Sequence, residues 1–163
     1  MSGDIEQIAE IVRLTARLSL VVFCIAFVAE TQSKERALKR FLYAVFYAAH
    51  GVHLCVVAFY FYALGEPPEM TPVTALLWLG VAAWVCVAVA VYMPGEKGPT
   101  LMPPLIVWYL WFLFAATEAS RLLDPARAET ANWLLLGLAL AAGTIRARRD
   151  LEPGAWRPGS DVR

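Results

Sequence analysis

The stretch FLYAVFYAAHGVHLCVVAFYFYAL (41–64) decides the fold. Apart from His50 and His53 it is apolar or aromatic from end to end, and those two are the only histidines in the chain. A helix needs about 20 mostly apolar residues to cross the ~30 Å hydrocarbon core of a bilayer, and this stretch is long enough. Working outward, four more segments read the same way: 8–29, 73–93, 101–122 and 131–146, the last only when its flanks are counted. The second helix is taken as 40–64. Residues 1–149 are therefore read as an all-α integral membrane bundle of five transmembrane helices, followed by an extended or disordered Pro/Gly-rich tail at 150–163.

Composition agrees. The chain has 163 residues, 60% of them hydrophobic and 17% charged, with a mean hydropathy of +0.57. Soluble domains average about 25% charged residues. The formal net charge is zero, so nothing suggests a nucleic-acid partner, and the lipid bilayer is the first expected partner. The first apolar segment follows Asp4 and Glu6 rather than basic residues, so it is expected to stay as a helix rather than act as a secretory signal. Cys24, Cys55 and Cys86 fall one each in the first three helices without CxxC spacing and read as small apolar packing residues.

The connecting segments set an orientation. TQSKERALKR carries Lys34, Arg36, Lys39 and Arg40, and RARRD carries Arg146, Arg148 and Arg149, whereas GEPPEMTP is acidic. Basic loops stay cytoplasmic. This places the N-terminus outside and the C-terminus in the cytoplasm, as an odd number of spans requires. Pro67 and Pro68, Pro72, Pro94, and Pro103 with Pro104 mark the ends and starts of helices two to four. Short loops make neighbouring helices antiparallel.

Ionisable groups inside a membrane call for a partner or a purpose. Glu10, Arg13 and Arg17 share one face of the first helix, with Glu10 able to pair with Arg13. The fourth helix carries Glu118 and Arg121. In the expected orientation Arg13, Arg17, Glu118 and Arg121 fall in the outer half, with His53 at a depth similar to that of Arg17, so Arg17, His53 and Glu118 can meet. Structural ion pairing and a ligand site are both open readings of this polar cluster. Trp78, Trp84, Trp108, Trp111 and Trp133 are read as packing and interfacial anchors.

His50 and His53, three apart, lie on nearly the same helix face. Four uses are open: a haem iron ligand, part of a metal site completed by Glu118 or a cysteine, a proton relay, or a pair hydrogen-bonded to Ser/Thr hydroxyls or backbone. Two imidazoles on one side of one helix cannot sandwich a single haem.

IVRLTARLSLVVFCIAF, RFLYAVFYAAHGVHL, WYLWFLFAATEASRL and the closing IRARR, taken in order, resemble bacterial members of the ferric-reductase-like transmembrane superfamily, relatives of the haem-binding membrane subunit of the methionine-sulfoxide reductase system. The resemblance implies a bundle in a bacterial inner membrane that holds haem b through histidines from different helices and moves electrons across the membrane with a partner protein. By position it assigns His50 and His53 as haem iron ligands and Arg17 as a propionate partner. Relatives carry a histidine where this chain has Pro103. Flavin and nicotinamide motifs are lacking, so any oxidoreductase role is that of the haem-bearing membrane component. The alternatives are a non-redox subunit or scaffold of a larger membrane complex or a homo-oligomer, and a small-molecule binder or transporter. No nucleophile–base set or phosphate loop points to a self-sufficient hydrolase or kinase.

Overall fold

The computed structural model describes residues 2–65, 72–92, 104–123 and 128–151, which form five α-helices. They are α1 (Ser2–Gln32), α2 (Arg36–Leu64), α3 (Pro72–Tyr92), α4 (Pro104–Leu123) and α5 (Thr130–Asp150). The all-α class expected from the sequence is observed. Ile5–Gln32, Arg36–Leu64 and Pro104–Leu123 are long and apolar enough to cross a membrane, and Trp78–Val89 is a shorter apolar stretch within α3.

Several helices overrun their expected ends, because hydropathy marks only the part that suits lipid. α1 starts at Ser2 rather than residue 8, with Asp4 and Glu6 near its N-terminus, where the helix dipole favours acids. α2 starts at Arg36 rather than residue 40. α5 continues through the basic run to Asp150 rather than stopping at 146, so Arg146 and Asp150 become i,i+4 partners. Pro72 and Pro104 each open a helix, where the missing N–H leaves no bond unmade. α2 ends on Gly65 at φ 72°, a left-handed cap that favours glycine, with its N–H donating to the Tyr62 carbonyl at 3.2 Å. Pro67, Pro68, Pro94, Pro103 and the tail 152–163 lie outside the described residues.

The helices close into a ring: α1 packs on α2 and α5, α4 on α5 and α3, and α2 on α3. The core is aromatic. Phe23 of α1 lies 5.4 Å from Phe27, 5.2 Å from Phe46 and 5.1 Å from Phe114 between ring centroids, and Trp108 meets Phe27 edge-on at 5.2 Å. Phe23, Phe27 and Phe46 are completely buried.

The exposed faces are as apolar as the core. α1 turns Ile11, Leu14, Leu18 and Ile25 outward, and α2 turns Phe41, Val45, Val52 and Phe59 outward. Meanwhile Ser19, Glu30, Lys39, Glu118, Asn132 and Arg146 are buried. Water would not tolerate so continuous an apolar surface on a monomer; lipid does, and it leaves the interior as the place for polar groups. A multi-pass membrane protein accounts for this pattern.

In lipid the hydrophobic effect no longer drives helices together, so seams depend on close packing and interhelical hydrogen bonds. Two seams here share a device. Trp84 of α3 stacks on Tyr47 of α2 at 4.4 Å and 6°, and its indole N–H donates to the Tyr47 carbonyl at 3.1 Å. Trp111 of α4 donates to the Ala139 carbonyl of α5 at 2.7 Å. In each case the residue four along is glycine, Gly51 or Gly143, and a Cβ there would stand 3.1 Å or 2.6 Å from the indole. Glycine lets the ring reach a carbonyl already used within the helix. Gly80 of α3 makes a third close approach, its would-be Cβ 2.7 Å from Leu113 of α4.

Candidate functional site

The sequence-selected residues gather in one half of the bundle, between its middle and the end where α1 begins and α2 finishes. The histidines sit deepest. On antiparallel α1, Thr15 and Ser19 are four apart and face His53 and His50, which are three apart on α2. Ser19 Oγ lies 2.8 Å from His50 Nδ1, and Thr15 Oγ1 lies 3.1 Å from His53 Nδ1. Thr15 Oγ1 also lies 2.9 Å from the Ile11 carbonyl and 3.1 Å from the Val12 carbonyl, the acceptors of its own helix. Ser19 is fully buried. Of the four uses open from the sequence, the hydroxyl-bonded pair is the contact the structure contains, and neither Nε2 makes a hydrogen bond among the described residues.

The imidazoles are 5.6 Å apart and tilted by 44°. His50 is ringed by Phe46 at 5.5 Å, Phe114 at 5.7 Å and Trp84 at 6.3 Å. A haem held as the resemblance implies needs imidazoles from two helices facing each other across the macrocycle. Both lie on α2, and aromatic rings occupy three sides of His50. The described residues do not fit that arrangement. Pro103 lies outside them. Among the described residues no group of three or more His, Cys, Asp or Glu gathers that could hold a metal ion.

Toward the end of the bundle three arginine–carboxylate pairs follow. Glu118 of α4, 3% exposed, accepts from Arg121 Nη1 at 2.9 Å, while its Oε2 is buried without a hydrogen bond. Arg17 and Glu129 lie within electrostatic reach of Glu118, and Arg121 within reach of His53. Arg121 is the direct partner of Glu118, and it is the cation that acts on both Glu118 and His53, while Arg17 acts on Glu118 at longer range. Arg13 pairs with Glu10 at the surface, as the spacing predicts.

Arg17 has a partner the sequence reading missed. Its Nη2 donates to Glu129 Oε2 and, at 3.4 Å, to Asn132 Oδ1. Glu129 is the N-cap residue of α5, in extended conformation, and makes no side-chain cap bond to its own helix. Its carboxylate turns to Arg17 instead, whose hydrogen bond first and charge second hold it below the usual carboxylate range. The available signal was positional: α5 begins at the same end of the bundle as Arg17.

Between these pairs is a cavity of about 340 Å³ lined by Ala9, Val12, Arg13, Arg17, Tyr60, Arg121, Glu129 and Asn132. α1, α2, α4 and α5 all contribute to it. Its wall carries three arginines and one glutamate. Its size falls within the range of small-molecule pockets.

The opposite end was read only as loop charge, and it is packed shut. Arg146 of α5, 1% exposed, donates from Nη1 to the Phe27 carbonyl at 3.1 Å and places its guanidinium 4.6 Å from the Phe27 ring centroid. Its Nε is 3.5 Å from Asp150 Oδ2, which also accepts from the Trp108 indole at 3.1 Å. Tyr43 lies within electrostatic reach of both Glu30 and Arg146, and Lys39 is also buried on α2. Cys24 is buried, as a packing residue should be, whereas Cys55 and Cys86 face outward.

Comparison with protein-family models, curated proteins and solved structures finds no match for this chain.

Proposed function

We propose that this chain is a ligand-binding membrane protein of five spans, N-terminus outside and C-terminus cytoplasmic, with its site in the arginine-lined cavity at the outer end. The cavity carries the proposal: four helices deliver polar side chains to one hollow in a bundle whose outward faces on α1 and α2 are apolar. The orientation is supported by the basic residues Lys34, Arg36 and Arg40 and the pair Arg148 and Arg149, which share the opposite end of the bundle, consistent with positive-inside. A cytoplasmic membrane of a bacterium is the setting that the resemblance implies.

Native mass spectrometry of the protein extracted in mild detergent tests the site. A co-purifying small molecule should be present in the wild type and lost in Ala9→Trp, which fills the cavity. No bound molecule, or one that Ala9→Trp retains, removes this reading.

Haem-linked electron transfer is the second reading. Its favourable observation is that each imidazole is held by a hydroxyl at Nδ1, the kind of outer partner that orients a metal-ligating histidine. Haem bound there supplies one-electron chemistry; the chain's own part is to fix the rings through Thr15 and Ser19. The two-helix arrangement is not met, so this reading ranks below the first. An absorption spectrum decides it: a Soret band lost in His50→Ala or His53→Ala would restore it.

A further inference from the structure

Resting on the cavity reading, we infer that the ligand is a small oxyanion, a carboxylate or phosphate group, and that Glu129 is a tethered stand-in for it, occupying Arg17 until the ligand displaces it.

Three observations converge. Among the described residues the wall has three cationic side chains against one acid, and that acid is Glu129 itself. Take Glu129 off Arg17 and the described wall keeps only positive and neutral groups: Arg13, Arg17, Arg121, Asn132 and Tyr60. Glu10 and Glu118 bond Arg13 and Arg121 but are not among the described residues that line the cavity.

Second, Glu129 already shows where an oxyanion sits. Its carboxylate oxygen accepts from Arg17 Nη2, which also donates to Asn132 Oδ1 at 3.4 Å. Arg17 Nε is buried and donates to nothing among the described residues, so a second oxygen of an incoming anion would find a donor that Glu129 leaves idle. Guanidinium recognises carboxylate and phosphate through two such parallel bonds.

Third, Glu129 is built to leave. It is the residue just before α5, in extended conformation, with a side chain that is 48% exposed and makes no cap bond to its own helix. An exposed ion pair of this kind is weak, so a better-fitting anion can replace it. The first turn of α5, which carries Asn132, adds the positive end of a helix dipole. The same chemistry is offered by a free anion or by the headgroup of an anionic lipid at the bilayer surface.

The test uses the full chain in nanodiscs. In phosphatidylcholine discs the protein is titrated with inorganic phosphate and, separately, with acetate; a parallel set of discs carries rising phosphatidylglycerol. Binding is read as thermal stabilisation. Phosphate or acetate stabilising in phosphatidylcholine identifies a free anion, and stabilisation only with phosphatidylglycerol identifies a headgroup. In either case Arg17→Gln should abolish the effect. Glu129→Gln should tighten it about fivefold by removing the competitor, while Glu6→Gln, the same charge change on the exposed start of α1, should not. The inference is overturned if no probe stabilises the wild type or Glu129→Gln, or if the response ignores Arg17 and Glu129. If mass spectrometry instead finds a neutral or cationic molecule that Ala9→Trp expels, the cavity reading stands and the oxyanion falls.

Discussion

The two ends of this bundle hold similar residues and treat them in opposite ways. At the closed end Arg146, Glu30, Lys39 and Tyr43 are all less than a tenth exposed, with aromatic rings packed over them. At the open end Arg13, Arg17 and Arg121 keep between 21% and 44% of their side chains exposed, and they surround a hollow. The Phe23–Phe27–Phe46–Phe114 cluster lies between the two. Charge in the membrane does not by itself mark a site. The closed end uses it to fasten α5 to α1, α2 and α4, whereas the open end leaves space beside it.

This contrast can be broken. Arg146→Met removes a fully buried cation that donates to the Phe27 carbonyl and pairs with Asp150, so unfolding in detergent should become easier by about 3 kcal/mol. Arg17→Gln at the open end should cost about 1 kcal/mol or less. Equal losses in the two variants would erase the distinction. Next in size is Gly143→Ala, whose Cβ would stand 2.6 Å from Trp111. Overpacking of that order costs about 1–3 kcal/mol, and Gly137→Ala on the same helix, with nothing within 4 Å, should cost nothing measurable.

Smaller still is Ser19→Ala, which takes the partner from His50 Nδ1. Interhelical hydrogen bonds in membranes average about 0.6 kcal/mol, so a loss near that value is expected in the same unfolding assay, and Thr15→Ala should behave alike. The smallest effect is with pH. Arg17 holds the Glu129 carboxyl below its ordinary value, by hydrogen bond first and charge second. The stability this contributes is present above the unfolded carboxylate pKa of about 4.3 and is lost as pH falls through the lower folded value. Stability profiles of wild type and Glu129→Gln should differ above that window and merge below it.

How much of this the sequence carried follows from what periodicity can see. The apolar runs 41–64 and 8–29 fixed two helices, and the spacing of Glu10 and Arg13 fixed their pair, because both are facts within one helix. The partnership of Thr15 and Ser19 with the histidines was half visible: the three-residue spacing puts both rings on one face, and Ser/Thr hydroxyls are among their expected partners. Their facing depends on how antiparallel α1 and α2 register. Arg146 misled for a clear reason: within RARR it looks like a topogenic loop charge, and only the extra turn of α5 to Asp150 carries it into the interior. Glu129 was invisible because its role lies across the ring, in the meeting of α1 with α5.

The two tryptophans laid over glycine have a practical corollary. Each indole N–H is anchored on the backbone of the neighbouring helix, so prising α3 from α2 or α4 from α5 must strip Trp84 or Trp111 of its acceptor and change its surroundings at once. The protein thus contains a fluorescent gauge in each of two joints. Replacing one indole at a time with phenylalanine would let emission tell which joint opens when a ligand arrives.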